Sequence, residues 1–107
     1  MSFAVVLTED AVRDLDDLYS FIAAQDGRDR ADPVLGRIHD KLATLRDFPE
    51  RGEFPPELAA LGIRQFRQIH YKPWRMVYQV SAETVTVMLL ADGRQDMQTR
   101  LQRRLLG

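Results

Sequence analysis

The chain has 107 residues, 45% of them apolar, with five Phe, three Tyr and one Trp. That is room for one domain, spanning residues 1–107, which buries roughly two-thirds of its unfolded surface and is not intrinsically disordered. There is no cysteine and there are only two histidines, His39 and His70, which removes disulfides, fits a reducing cytosol and leaves too few ligands for a metal centre.

No apolar run approaches the roughly 18 residues of a membrane span. Residues 1–30 lack the basic and apolar regions of a secretory leader. A cytoplasmic protein with no membrane partner and no cofactor is expected. The net charge of −1 hides a division: residues 1–60 carry 13 Asp/Glu against 7 Lys/Arg, whereas residues 61–107 carry 3 acids against 8 bases. Such asymmetry predicts a basic functional face opposed to an acidic one. The near-neutral total argues against strong nonspecific nucleic-acid binding, because each neutralised phosphate requires a cation.

In chain order, Ser2–Leu7 reads as a short, mostly buried strand. Thr8 is placed to cap a helix whose first turn holds Glu9 and Asp10. Val12, Leu15, Leu18, Tyr19 and Ile22 form its apolar stripe, with Arg13, Asp14, Asp16 and Asp17 off it, and the helix ends near Gln25–Gly27. Asp32-Pro33 offers a second cap followed by Pro at the first helical position, although a start one turn earlier is open. Leu35, Ile38, Leu42 and Leu45 form the second stripe, and Pro49 stops that helix near Phe48. Two antiparallel helices in a hairpin result.

Residues 49–62 hold three of the five prolines and read as a loop with one helical turn at Glu57–Leu61. Ile63–Tyr71 is a strand of uncertain register, since Phe66 and Ile69 fall on opposite faces. After a turn at Lys72-Pro73, Trp74, Met76, Tyr78 and Val80 share one strand face and Arg75, Val77 and Gln79 the other. Val85–Ala91 is apolar on both faces, as a central strand should be. A corner at Asp92-Gly93 leads into a short helix with Met97, Leu101 and Leu105 on its buried side and Arg100, Arg103 and Arg104 around it. Asp92 is placed to cap that helix, with Asp96 adding favourable charge near its start. The order β-α-α-β-β-β-α predicts an α+β fold, with an antiparallel sheet packed on the N-terminal helical hairpin and closed by a short C-terminal helix.

That order, Trp74–Val80 with Val85–Arg94, and the tail Arg94-x-Asp96-x-x-Thr99-Arg100-Leu101-x-x-Arg104-Leu105 resemble the RelE/ParE superfamily of bacterial toxins, with the tail favouring the ParE-like branch. The resemblance implies the toxin of a type II toxin–antitoxin (plasmid stabilisation or addiction) system. Such a protein poisons DNA gyrase, causes growth arrest without bond-making chemistry of its own, and is neutralised in a hetero-oligomer by a cognate antitoxin. In several ParE-type toxins a histidine stands near the position of Asp92.

The rival enzyme reading is a RelE-like, metal-independent, ribosome-dependent mRNA endonuclease using Arg75, Arg94 and His70. A third reading is a non-toxic antitoxin-binding module. Arg75 is conspicuous on physical grounds as well, because a guanidinium in an apolar strand must face water, an acid or another anion. In mRNA-cleaving relatives the corresponding arginine contacts the scissile phosphate. Those enzymes also place two lysines on the strand where this chain has Phe66 and Gln68. They carry an arginine where it has Gln95 and a tyrosine where it has Leu101. RNA cleavage needs a base, an acid and cations for the phosphorane, so these substitutions weigh against it. Arg67, Lys72, Arg75, Arg94, Arg100 and Arg104 are the expected target-binding residues, and Leu15, Tyr19, Ile22 and Trp74 the expected antitoxin-binding ones.

Overall fold

The computed structural model describes residues 2–107. Its elements are β1 (Ala4–Leu7), α1 (Glu9–Asp26), α2 (Arg28–Ala43), α3 (Pro56–Ala59), β2 (Arg67–Tyr71), β3 (Trp74–Ser81), β4 (Thr84–Asp92) and α4 (Met97–Leu101). A 3₁₀ turn at Thr44–Arg46 extends α2, and π-type turns at Gln102–Leu106 extend α4. The sheet order is β1-β4-β3-β2. The pairs β2–β3 and β3–β4 are antiparallel, and β1 adds alongside β4 in parallel.

Thr8 caps α1 as the sequence predicts, its hydroxyl accepting from the Ala11 N–H at 3.1 Å. The stripe beneath starts one position earlier than expected: Ala11 is fully buried, whereas Val12 is 45% exposed. Asp14, expected on the solvated side, has a nearly buried side chain. Gly27 ends α1 and starts α2 at φ +86°, a left-handed conformation that favours glycine. α2 therefore begins at Arg28 and Pro33 lies inside it, so Asp32 is not its cap. Asp32 instead accepts from the Tyr19 hydroxyl at 2.5 Å, which joins the two helices and raises the Tyr19 phenol above its ordinary pKa.

Both faces of the sheet are covered. Ile69, Met76, Tyr78, Val85, Val87 and Leu90 meet Ala11, Ile38, Leu42 and Leu45 beneath the helical hairpin. On the other side Phe66, Val77, Leu89 and Ala91 meet Leu58, Met97 and Leu101 beneath α3 and α4. Two covered faces explain why Phe66 and Ile69 point opposite ways yet are both buried. β1, expected to be mostly buried, is an edge strand with Ala4 and Val6 exposed. β2 starts at Arg67, four residues later than the apolar pattern implies, and Ile63 approaches the second core from a loop.

β4 has a bulge. Val77 pairs with Leu89 and Tyr78 with Val87, leaving Met88 without a partner on β3; an extra residue of this kind re-aims the strand. Tyr78 reaches through the first core to the loop, where its hydroxyl accepts from the Gly52 N–H at 3.0 Å. A Cβ on Gly52 would lie 2.6 Å from both that hydroxyl and the Gln68 carbonyl oxygen, so this position requires glycine.

Candidate functional site

Arg75 leaves β3 on the α3 side of the sheet, directly across from His70 on β2. It is 7% exposed. Its Nη1 and Nη2 donate to the two Glu57 carboxylate oxygens at 2.8 Å each, and its Nε donates to Gln68 Oε1 at 2.8 Å. Nη2 also donates to Gln68 Oε1. Paired parallel bonds of this sort are the strongest arrangement open to arginine and carboxylate. The Arg75 hydrogen bonds hold the Glu57 carboxyl below the ordinary glutamate range. Gln68 passes the network on, donating through Nε2 to Glu53 Oε1 at 2.9 Å. His70 Nε2 stands 3.8 Å from the same oxygen and is substantially exposed.

The corner at Gly93 belongs to this cluster, because the Arg75 stem runs where a side chain would be. A Cβ there would meet Arg75 Cδ at 2.8 Å. Phe66 and Leu101 are packed in the second core. The positions corresponding to the nucleases' lysines and tyrosine are thus filled by apolar packing and one neutral amide. An incoming phosphate would have to displace Glu57 to reach the Arg75 guanidinium. Sequence reading missed Glu57; its signal was an acid in the helical turn after Pro55-Pro56, which the fold brings to the one strand arginine that is buried among the described residues.

None of the other predicted target-binding cations is bonded to Arg75 or to Glu57. Arg67 donates to the Glu50 and Gly52 carbonyls and lies over the Phe54 ring at 4.5 Å. Lys72 is exposed in the β2–β3 turn. Arg104 is partly buried against α1, where its Nη1 and Nη2 donate to Asp14 at 2.8 and 3.0 Å and Nη1 also donates to the Met88 carbonyl at 2.9 Å. The Asp14 hydrogen bond raises the Arg104 pKa further.

Around the start of α4 the basic groups are open to solvent. Arg94 projects with 76% of its side chain exposed while paired to Asp92 at 2.7 Å, a contact that lowers the Asp92 carboxyl and raises Arg94. Arg100 is half-exposed, donating to Gln95 Oε1 at 3.1 Å, and Arg103 is exposed. The cap of α4 is Asp96, not Asp92: its Oδ1 accepts from the Thr99 N–H at 3.1 Å and its Oδ2 from the Thr99 hydroxyl at 2.7 Å. The Thr99 hydroxyl holds the Asp96 carboxyl low.

Of the residues expected to meet an antitoxin, Ile22 is buried and Leu15 packs against the first core. Trp74 is half-buried, stacked on Tyr71 with ring centroids 6.2 Å apart. Tyr19 is occupied by Asp32. Phe21, which the stripe omitted, is 66% exposed. Beside it a groove of about 360 Å³ opens between α1 and the start of α4, lined in part by Asp17, Leu18, Trp74, Arg94 and Arg100. Among the described residues no metal-binding cluster of His, Asp or Glu occurs, and no helix is long and apolar enough to cross a membrane.

The family profile described as the ParE toxin of the type II toxin–antitoxin system parDE matches residues 5–97. The chain belongs to the ParE toxin family. Toxin ParE3 of Caulobacter vibrioides is 29% identical over 97 residues, covering 91% of this chain and 93% of that protein. A structure of a chromosomal ParDE system from P. aeruginosa superposes with a TM-score of 0.71 at 16% identity, covering 85% of this chain and 96% of the other. The E. coli toxin RelE, a mutant in the free state, superposes at 0.65 with 18% identity over 98% of this chain and 100% of its own. The toxin–antitoxin complex RelBE2 of Mycobacterium tuberculosis gives 0.61 at 16% identity, covering 86% and 92%. At these identities the solved structures establish that the ParE-family chain shares their α+β fold.

Proposed function

We propose that this ParE-family toxin acts in the cytoplasm by binding DNA gyrase and stabilising its cleaved-DNA complex, with no bond-making step of its own. The observation that carries this reading is the closure of Arg75 by Glu57 and Gln68. The cation best placed for phosphodiester chemistry already has an internal carboxylate, and its hydrogen-bond partners are Glu57 and Gln68 rather than a general acid–base set. The target surface is then the solvent-facing basic group at α4, namely Arg94, Arg100 and Arg103, with Lys72 and Arg67 peripheral. Arg75 and Arg104 support the scaffold.

A cognate antitoxin neutralises the toxin by laying an extended, partly helical segment over the helical hairpin and sheet, forming a hetero-oligomer. The solved ParDE and RelBE2 assemblies, which share the fold, support this reading. Expression of the toxin alone should arrest growth and induce the DNA-damage response, and co-expression of the neighbouring small reading frame should restore growth. Arrest accompanied by cutting of ribosome-bound message, without DNA damage, would give the function to the endonuclease reading instead.

A further inference from the structure

Three cations from the acidic half of the chain converge between the end of α2 and the edge strand β2. Arg37 and Lys41 lie one turn apart on α2, and Arg51 lines the same hollow from the loop that follows. Arg51 Nη1 donates to the Thr44 hydroxyl at 2.7 Å, and that hydroxyl donates to the Lys41 carbonyl at 2.6 Å. None of the three cations forms an ion pair among the described residues. Like charges four apart on a helix repel. The helix C-terminus suits Lys41, which is in its last turn, but the effect fades before Arg37. Asp40 also lines the hollow, facing His39 at 3.7 Å. Three positive charges thus stand against one negative.

The hollow has a volume of about 270 Å³, and Tyr71 forms part of its wall. The Tyr71 ring is half-buried and stacks on Trp74, which fixes a flat apolar surface beside the cations. A second hollow adjoins it along β2, lined by Lys41 and Arg51 again, with Glu53, Gln68 and His70 among its other walls. An anion between Lys41 and Arg51 therefore sits where the two hollows meet. Glu53 is already engaged, accepting from Gln68 Nε2 at 2.9 Å and facing His70 Nε2 at 3.8 Å. Its carboxylate disfavours a second phosphate in that hollow and leaves the space to a neutral sugar.

We propose that this surface binds a nucleotide, free or as one unit of a single strand, with its base on Tyr71 and its phosphate on Arg37, Lys41 and Arg51. Aromatic faces combined with cations that follow the backbone are how proteins hold unpaired bases. Guanidinium and ammonium groups give the phosphate oxygens charge-assisted hydrogen bonds. The site shares no residue with the basic group at α4. It goes beyond the gyrase reading and does not depend on it.

Calorimetric titration of the purified toxin with deoxyadenosine, inorganic phosphate, deoxyadenosine monophosphate and tetradeoxyadenylate tests the assignment. Emission from Trp74, the only tryptophan in the chain, reads contact with its stacking partner. The monophosphate should bind at least about tenfold more tightly than the nucleoside or phosphate alone, because each supplies half of the contact. Tighter binding of the tetranucleotide than of the monophosphate assigns the site to single strands, and equal affinity assigns it to the free nucleotide. Arg37→Glu, at an exposed position, should weaken the monophosphate about five- to tenfold and leave the nucleoside unchanged. Tyr71→Phe keeps the ring and should bind as the parent does, whereas Tyr71→Val should lower the monophosphate to the level of phosphate. Tyr71 also packs against the first core, so Tyr71→Val is read beside its melting temperature and Arg37→Glu carries the decision. Arg94→Ala combined with Arg103→Ala should change none of these affinities. Phosphate binding as tightly as the monophosphate, or no binding at millimolar nucleotide, overturns the proposal. So does an affinity that survives Arg37→Glu and is lost in the Arg94 and Arg103 double variant.

Discussion

Asp14 and Arg104 together serve residues 88–90 of β4 as a neighbouring strand would. The Asp14 carboxylate accepts from the Leu90 N–H and the Arg104 guanidinium donates to the Met88 carbonyl, while the two side chains bond each other across 90 residues of sequence. β1 pairs only as far as Val87, so without this pair β4 would continue into the sheet's end with bare backbone groups. The acid–arginine pair thereby joins α1, β4 and the C-terminal turns.

Removing either partner should destabilise the protein strongly. Arg104→Ala leaves Asp14, whose side chain is only 8% exposed, with only the longer 3.9 Å contact to Arg100, and should cost about 2–4 kcal/mol. Asp14→Asn keeps an acceptor for Leu90 and should cost less than Asp14→Ala. Urea unfolding of the two single variants and the double variant measures the coupling. Additive effects would mean that the pair does not act as a unit.

Glu57 makes stability depend on acid pH. Its folded-state pKa is lowered by Arg75, so its contribution is complete above the unfolded glutamate value and is lost as pH falls through the lower folded value. At neutral pH Glu57→Gln should be less stable than the parent by about 2–3 kcal/mol. That gap should narrow once pH drops below about 4. Asp92 and Asp96 are also held low, but they are present in both proteins and cancel in the difference. Urea midpoints across the acid range check this; a gap independent of pH contradicts the pairing.

Gly52→Ala should destabilise the loop over β2, and Tyr78→Phe should not rescue it. The new Cβ meets the Gln68 carbonyl as closely as it meets the Tyr78 hydroxyl, and the former cannot be removed by a side-chain change. Tyr78→Phe alone strands the Gly52 N–H and should cost about 1–2 kcal/mol. Thermal melts of the two single variants and the double variant settle the comparison.

Local signals carried most of the fold. Thr8, the breaks around Gly27 and Pro49, and the alternation of Trp74–Val80 are readable because each is decided within a turn or two of its neighbours. Asp14 was not readable in the same way: a carboxylate beside an apolar stripe is assigned to solvent unless a distant partner is known, and Arg104 comes at the other end of the chain. Arg75 was conspicuous as a cation needing an anion, but its partner sits on the single turn of α3 inside a proline-rich connection whose path periodicity does not determine. Val12 and Ala11 were exchanged because the larger side chain outweighs the smaller in a pattern, whereas close helix–sheet packing selects the smaller.

The scaffold and surface arginines should separate in function. Arg94→Ala combined with Arg103→Ala should keep the parental melting temperature and lose about tenfold in toxin potency. Arg104→Ala should lose potency only in proportion to its unfolded fraction. Potency is read as the inducer level that arrests growth, with folded protein quantified alongside.

The most direct measurement is gyrase activity on relaxed plasmid in the presence of the purified toxin. Supercoiling should fall, and linear DNA should accumulate when the reaction is trapped with detergent and protease, with Arg75→Lys showing these effects in proportion to its folded fraction. Unimpaired supercoiling at saturating toxin, together with cleavage of ribosome-bound message that disappears in Arg75→Lys, would contradict the account.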